Sequence, residues 1–100
     1  MAKKLEPIHP GEILREEFMV PLELSSNALA RALGVTPARV NDIARERRGI
    51  TADTALRLAR YFNTSHEFWM NLQAHYDVEM AMAQAGRAIT HIKPLALAAA

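Results

Sequence analysis

The sequence predicts an all-α fold of five helices. Three observations lead there. Apolar residues recur at every third or fourth position through most of the 100 residues, a residue able to cap a helix precedes nearly every such run, and no stretch alternates with period two long enough to be a convincing strand. Pro10-Gly11-Glu12 opens the first helix, with Ile13, Leu14 and Phe18 on one face, and Pro21 stops it. Ser26 is the expected cap of a second helix, which places Leu29 and Leu33 one turn apart and ends at Gly34, where a left-handed residue costs least. Thr36 caps a third helix that starts with Pro37, a favoured first helical residue, buries Val40 and Ile43, and runs out at Gly49. Thr51 caps a fourth, with Ala55, Leu58, Ala59 and Phe62 at helical spacing. Ser65 caps a fifth, carrying Phe68, Trp69, Leu72, Tyr76 and Met80. Ala88 to Lys93 reads as a short edge or an extended tail.

At this length, with 50% of residues hydrophobic, there is one small core and no room for a multi-layer enzyme. The absence of cysteine excludes a disulfide framework and a thiolate metal site, and Met-Ala-Lys-Lys-Leu-Glu-Pro lacks the apolar run of a signal peptide. The longest apolar stretch, Leu95 to Ala100, falls far short of the roughly 20 residues that a membrane span needs. The expectation is a cytoplasmic protein with no membrane partner.

The net charge of +1 is unevenly spread. Residues 31–60 carry Arg31, Arg39, Arg45, Arg47, Arg48, Arg57 and Arg60 against Asp42, Glu46 and Asp53, while the segments on either side are net acidic. Arginine's planar fork suits phosphate and guanine better than lysine does, so the middle third is where an anionic partner is expected.

That middle third also has helix-turn-helix spacing. Ala30 is small where two helices would cross, Gly34 sits in the turn four residues later, and Val40 anchors the next helix six residues on. Leu29, Leu33, Val35 and Ile43 supply the apolar positions such a unit buries, so the motif spans about 26–45; an ordinary helical hairpin would need no such full register. With Val40 and Ile43 inward, Ala38, Asn41, Asp42 and Arg45 face outward and Arg39 lies toward one flank. If this helix enters a major groove, Asn41 can pair with adenine and Arg45 with guanine. Asp42 can accept from a cytosine amino group or orient Arg39 or Arg45, and the methyl groups of Thr36 or Ala38 can touch thymine. Arg39, Arg47 and Arg48 are assigned to phosphate.

These residues carry a family resemblance over about His9 to Ala81. His-Pro-Gly-Glu at 9–12, Leu-Ala-x-x-Leu-Gly-Val at 29–35, Arg-Val-Asn-Asp-Ile at 39–43, Gly-Ile-Thr-Ala-Asp-Thr-Ala-Leu-Arg-Leu-Ala-Arg at 49–60 and Phe-Trp-Met-Asn-Leu-Gln at 68–73 resemble the HigA antitoxins, also called virulence-associated protein I. These belong to the Cro-like helix-turn-helix repressors. The resemblance implies a five-helix bundle of the lambda-repressor-like DNA-binding type that dimerises, binds an operator in its own promoter, and neutralises a HigB-like toxin that cuts messenger RNA on the ribosome. Thr36, Ala38, Arg39, Asn41, Asp42 and Arg45 fall on the family's recognition helix. Arg47-Arg48-Gly49-Ile50 departs from the family's Gly-Lys-Arg, and the segment after Ala81 matches no family pattern. The expected organisation is a DNA-binding and dimerisation domain over 1–85 and an extended or disordered tail over 86–100.

A lone recognition helix reads only a few base pairs, so a homodimer with two half-sites about one helical turn apart is expected. Trp69, Leu72, Tyr76 and Met80 form a stripe that serves either as that dimer seam or as core. Glu12, Glu16, Glu17 and Glu23 of the first helix would suit a basic toxin, or are simply a solvated face. An enzyme is not expected: His9, His66, His75 and His91 lack metal-ligand spacing, and no His-Glu-x-x-His, phosphate-binding glycine loop or serine elbow occurs, so neither metal nor cofactor is implied. A stand-alone repressor without a toxin is the alternative, and a pure protein-interaction module with a solvated arginine face is the third reading.

Overall fold

The computed structural model describes residues 6–96 and contains five helices, with no strand among those residues. Helix α1 is α-helical over Pro10–Ile13 and continues as a π-helix over Leu14–Met19; α2 is Ser26–Leu33, α3 Pro37–Ala44, α4 Ala52–Phe62 and α5 His66–Thr90.

Each helix starts where a side chain takes over an orphan backbone N–H. Thr36, Thr51 and Ser65 accept from the amides three residues ahead, as their sequence positions predict. The α2 cap is Ser25 rather than Ser26. Ser25 has the extended backbone a cap requires and its Oγ accepts the Ala28 N–H at 3.0 Å, whereas Ser26 is already helical. The cap of α1 is His9, a role the sequence did not suggest: Nδ1 accepts the Gly11 N–H at 2.8 Å. In the second part of α1 the amide of Val20 bonds back to Arg15, five residues away, and this wider winding leaves Met19 as well as Leu14 in the core.

Gly34 closes α2 at φ 74°, the left-handed turn between the two central helices. Helix α3 ends at Ala44, five residues short of the expected Gly49. Arg45 leaves the helical region and Glu46 turns left-handed at φ 64°. The early stop has a physical reason, because the chain must bend back to bury Ile50, whose N–H donates to Gln73 Oε1 at 2.6 Å.

Leu14, Leu29, Val40, Ile43, Leu58 and Trp69 form the sealed centre, and Ala30 is buried beside them where α2 packs on α3. Burying one such aliphatic side chain contributes about 1.5–3 kcal/mol. Trp69 corrects one expectation. It is fully buried, its Nε1 donates to Thr64 Oγ1 at 2.8 Å, and its ring lies 5.0 Å from those of Phe18 and Phe68, so it cannot line a dimer seam. Leu72 packs against the same core, and Tyr76 meets His9 edge-on with ring centroids 4.8 Å apart. The first half of the stripe is therefore core; Met80 is half-buried.

The expected tail also needs correction, since α5 continues through Thr90 and takes residues 86–90 with it. Ala81, Ala83, Ala85 and Ala88 are strong helix formers in that stretch. Residues 97–100 of the expected tail lie outside the described residues. The distal turns of α5 stand clear of the body, leaving Val78, Met82 and Ile89 exposed, and the radius of gyration is 17.5 Å where a compact chain of this length gives about 13 Å.

α1 and α3 approach each other closely at Gly11. A Cβ added to Gly11 would lie 1.8 Å from the Ile43 carbonyl oxygen, so no side chain fits there. Gly11→Ala is expected to destabilise the fold by about 1–3 kcal/mol or more through forced separation of these helices, measured as a lowered urea midpoint; an unchanged midpoint would refute the contact. His9 provides a second test. Its burial pushes the imidazole pKa below the ordinary 6.5, against the pull of Glu46 and Asp77. The unfolded chain thus takes up the proton first, so this contribution to stability is complete above pH 6.5 and is lost as pH falls below it. His9→Asn, which keeps a capping oxygen but does not titrate, should show a flatter fall in urea midpoint between pH 7.5 and 5.

Candidate nucleic-acid interface

Only three of the eight residues of α3 are buried: Val40, Ile43 and Ala44. They seat the helix on the core and turn its other side outward. Thr36 and Ala38 are exposed at its start, Asn41 and Asp42 are half-buried along it, and Arg45 is exposed at its end, so these five line one surface. Thr36 has its oxygen engaged, accepting the Arg39 N–H at 3.2 Å, while the residue remains open to solvent. Asn41 and Ala38 share a shallow groove with Pro37 and with Ser25, Ser26 and Asn27 from the start of α2. The α2 residues were not anticipated, because a groove between two helix starts has no signature within either helix.

The arginines are arranged differently from the expectation. Asp42 orients neither Arg39 nor Arg45. It holds Arg47 at 3.2 Å and Arg48 at 3.7 Å, the two arginines of the following loop. Arg39 instead reaches Asp53 of α4 at 3.0 Å. Arg45 forms no side-chain hydrogen bond or ion pair among the described residues, which leaves its guanidinium available on the outward face. The loop itself is pinned at both ends, by the turn at Glu46 and by the buried Ile50 with its bond to Gln73.

Behind α3, Arg15 of α1 donates to the Ala44 carbonyl and to Glu46 Oε2 at 3.3 Å. A cation at the C-terminal end of a helix satisfies an otherwise orphaned carbonyl and opposes the negative end of its dipole. Nothing near Arg15 in the chain announces this, since these two partners lie about thirty residues away, while its Nε donates to the adjacent Glu16 at 2.9 Å. By contrast, Asp53 and Arg57 stand four apart on α4, a spacing that favours an ion pair and could have been read. Among the described residues no helix is long and apolar enough to cross a membrane, and no group of three metal-ligating side chains is assembled.

Comparison with known proteins identifies the family. The helix-turn-helix family model HTH_3 matches residues 14–69. Virulence-associated protein I of Dichelobacter nodosus is 55% identical over 92 residues, 92% of this chain and 84% of its own. The solved structure described as Pseudomonas aeruginosa antitoxin HigA with higBA promoter superposes with a TM-score of 0.87 at 56% identity, over 91% of this chain and all of the other. The chain belongs to the HigA family of helix-turn-helix antitoxins. A more distant member, antitoxin HigA-1 of Vibrio cholerae, is 33% identical over 92% of this chain and 87% of its own. The five helices are those read from helix periodicity and caps, and the lambda-repressor-type HigA fold is the one that the family resemblance implied.

Proposed function

We propose that this HigA-family protein is a homodimeric antitoxin that binds double-stranded operator DNA in its own promoter, represses that promoter, and neutralises a HigB-like mRNA-cleaving toxin by direct contact. The observation that carries this reading is the outward surface of α3, polar, preformed and bearing Arg45, unpaired among the described residues, in a chain similar to an antitoxin solved with promoter DNA. Asn41 reads adenine, Arg45 guanine and Asp42 a cytosine amino group, while Thr36 and Ala38 offer methyl contacts to thymine. Arg39, Arg47 and Arg48 meet phosphate. Asp42 can serve its base role because phosphate oxygens replace it as partner for Arg47 and Arg48, and exposed pairs of this kind cost little to open.

The second copy is placed on distal α5. Val78, Met82 and Ile89 recur at helical spacing on turns that leave the body, on the face of α5 opposite the one that carries Trp69 and Met80, and this stripe takes the place of one centred on Trp69. Pairing these stripes across a two-fold axis buries apolar surface that water otherwise covers and sets two α3 helices at a fixed spacing. The toxin surface is the acidic side of α1 and its turn, where Glu16, Glu17 and Glu23 are exposed together with Val20 and Leu22, a combination that steers a basic partner and then gives it apolar contact.

Fluorescence anisotropy with a promoter duplex and a scrambled duplex tests the DNA arm. Asn41→Ala and Arg45→Ala should each lose about 1–3 kcal/mol of discrimination, whereas Arg48→Ala should weaken both duplexes alike and reduce the salt slope by about 1. Equal binding of the two duplexes by the unaltered protein would sink the repressor reading. Co-expression with the neighbouring reading frame tests the toxin arm: a small basic protein, toxic alone, should co-purify with this chain and lose that association on Glu16→Lys/Glu17→Lys. Specific DNA binding without any such partner would instead indicate the stand-alone repressor.

A further inference from the structure

One carboxylate ties α4 to both halves of the helix-turn-helix. Asp53 Oδ2 accepts from Arg39 Nη1 of α3 at 3.0 Å and from Arg57 Nε of α4 at 2.9 Å. Arg57 is itself anchored, because its Nη1 donates to the Leu33 carbonyl at 2.9 Å, one of the orphan acceptors at the end of α2. The same guanidinium lies against the turn, with Nη1 3.3 Å from where a Cβ on Gly34 would stand. The chain of contacts therefore runs from the end of α2 through Arg57 and Asp53 to the flank of α3. We infer that Asp53 is a positioning residue for operator binding, holding the Arg39 guanidinium on the phosphate-facing flank of α3. This rests on the DNA-binding reading above.

Exposure argues against a role in stability. The Asp53 side chain is 56% exposed, and open ion pairs of this kind add little to folding. Charge alone also argues against Asp53 helping DNA, since a carboxylate on the DNA-facing side repels phosphate. What it supplies is geometry. A free arginine side chain samples many rotamers and gives up that freedom on meeting a phosphate. Arg39 held by a single Nη1 contact keeps its Nε and Nη2 protons for the DNA and has already lost much of that freedom. Two arginines against one carboxylate leave the cluster with a net charge of +1, so the clamp orients Arg39 without neutralising the patch. The proximity of Arg57, and then of Arg39, keeps the Asp53 carboxyl ionised below its ordinary range, consistent with a clamp closed at neutral pH.

The two possible effects of Asp53 have opposite signs, and operator affinity measured against salt separates them. Asp53→Asn and Asp53→Ser should melt like the unaltered protein yet bind the promoter duplex roughly fivefold more weakly near physiological salt, the worth of about one phosphate contact, with a log–log salt slope shallower by about 1. In an Arg39→Ala background the same substitutions should cause no further loss, because Asp53 acts through Arg39. If both variants bind the promoter as tightly as the unaltered protein or more tightly, Asp53 merely competes with phosphate and the proposal is overturned. An equal loss in the Arg39→Ala background overturns it too. Failure of the unaltered protein to prefer its promoter is a different result, and removes the DNA-binding reading itself.

Discussion

An eight-residue helix cannot hold its own place. Isolated helices shorter than about 12–15 residues are marginal in water, and the outward side of α3 contributes no packing. Its position is therefore set wholly by what lies behind it. Val40, Ile43 and Ala44 enter the core, the bare backbone of Gly11 rests on the Ile43 carbonyl, Arg15 satisfies the end of the helix at Ala44, and Thr36 satisfies its start. The other elements can be understood as the mount for this short helix. Trp69, sealed under α1 and α4, packs against their half-buried aromatic residues Phe18 and Phe62.

Charge follows the same division between mount and surface. The carboxylates Asp42, Glu46 and Asp53 each hold an arginine, and each pair links α3 or its following loop to itself or to a neighbour. Arg45 stands outside this scheme. A near-neutral total thus conceals a surface on which every acidic group of the middle third is already engaged, so the field that an approaching polyanion meets is that of the surplus arginines. Such a surface is sensitive to salt, because its pairs are open to solvent and its surplus charge is screened over about 10 Å at 0.1 M ionic strength.

Local signals were legible in the sequence and long-range ones were not. The caps at Thr36, Thr51 and Ser65, the left-handed Gly34 and the outward side of α3 depend on residues within one or two turns of each other, and helices α2 to α5 follow from them. Ser25 and Ser26 are adjacent and equally able to cap, and only the backbone conformation separates them. The end of α3 depends on Ile50 having to reach Gln73 and the core, which no pattern near Ala44 reveals. Trp69 and Val78 lie on opposite faces of α5, and only the packing of α1 and α4 decides that the first face is covered and the second is not. The Arg39–Asp53–Arg57 cluster is split across two helices, so sequence reading assigned Arg39 to phosphate without finding what holds it.

The body of the protein presents α3 fully formed before any partner arrives. Native-state hydrogen exchange on the DNA-free protein tests this directly, by comparing the amides of Ile43 and Ala44 with those of Leu33 and Leu58. The α3 amides should open with the same free energy as the core amides, by unfolding of the whole domain. Exchange of the α3 amides through a separate, much easier opening, while Leu33 and Leu58 remain protected, would contradict this and make α3 a helix that its partner has to assemble.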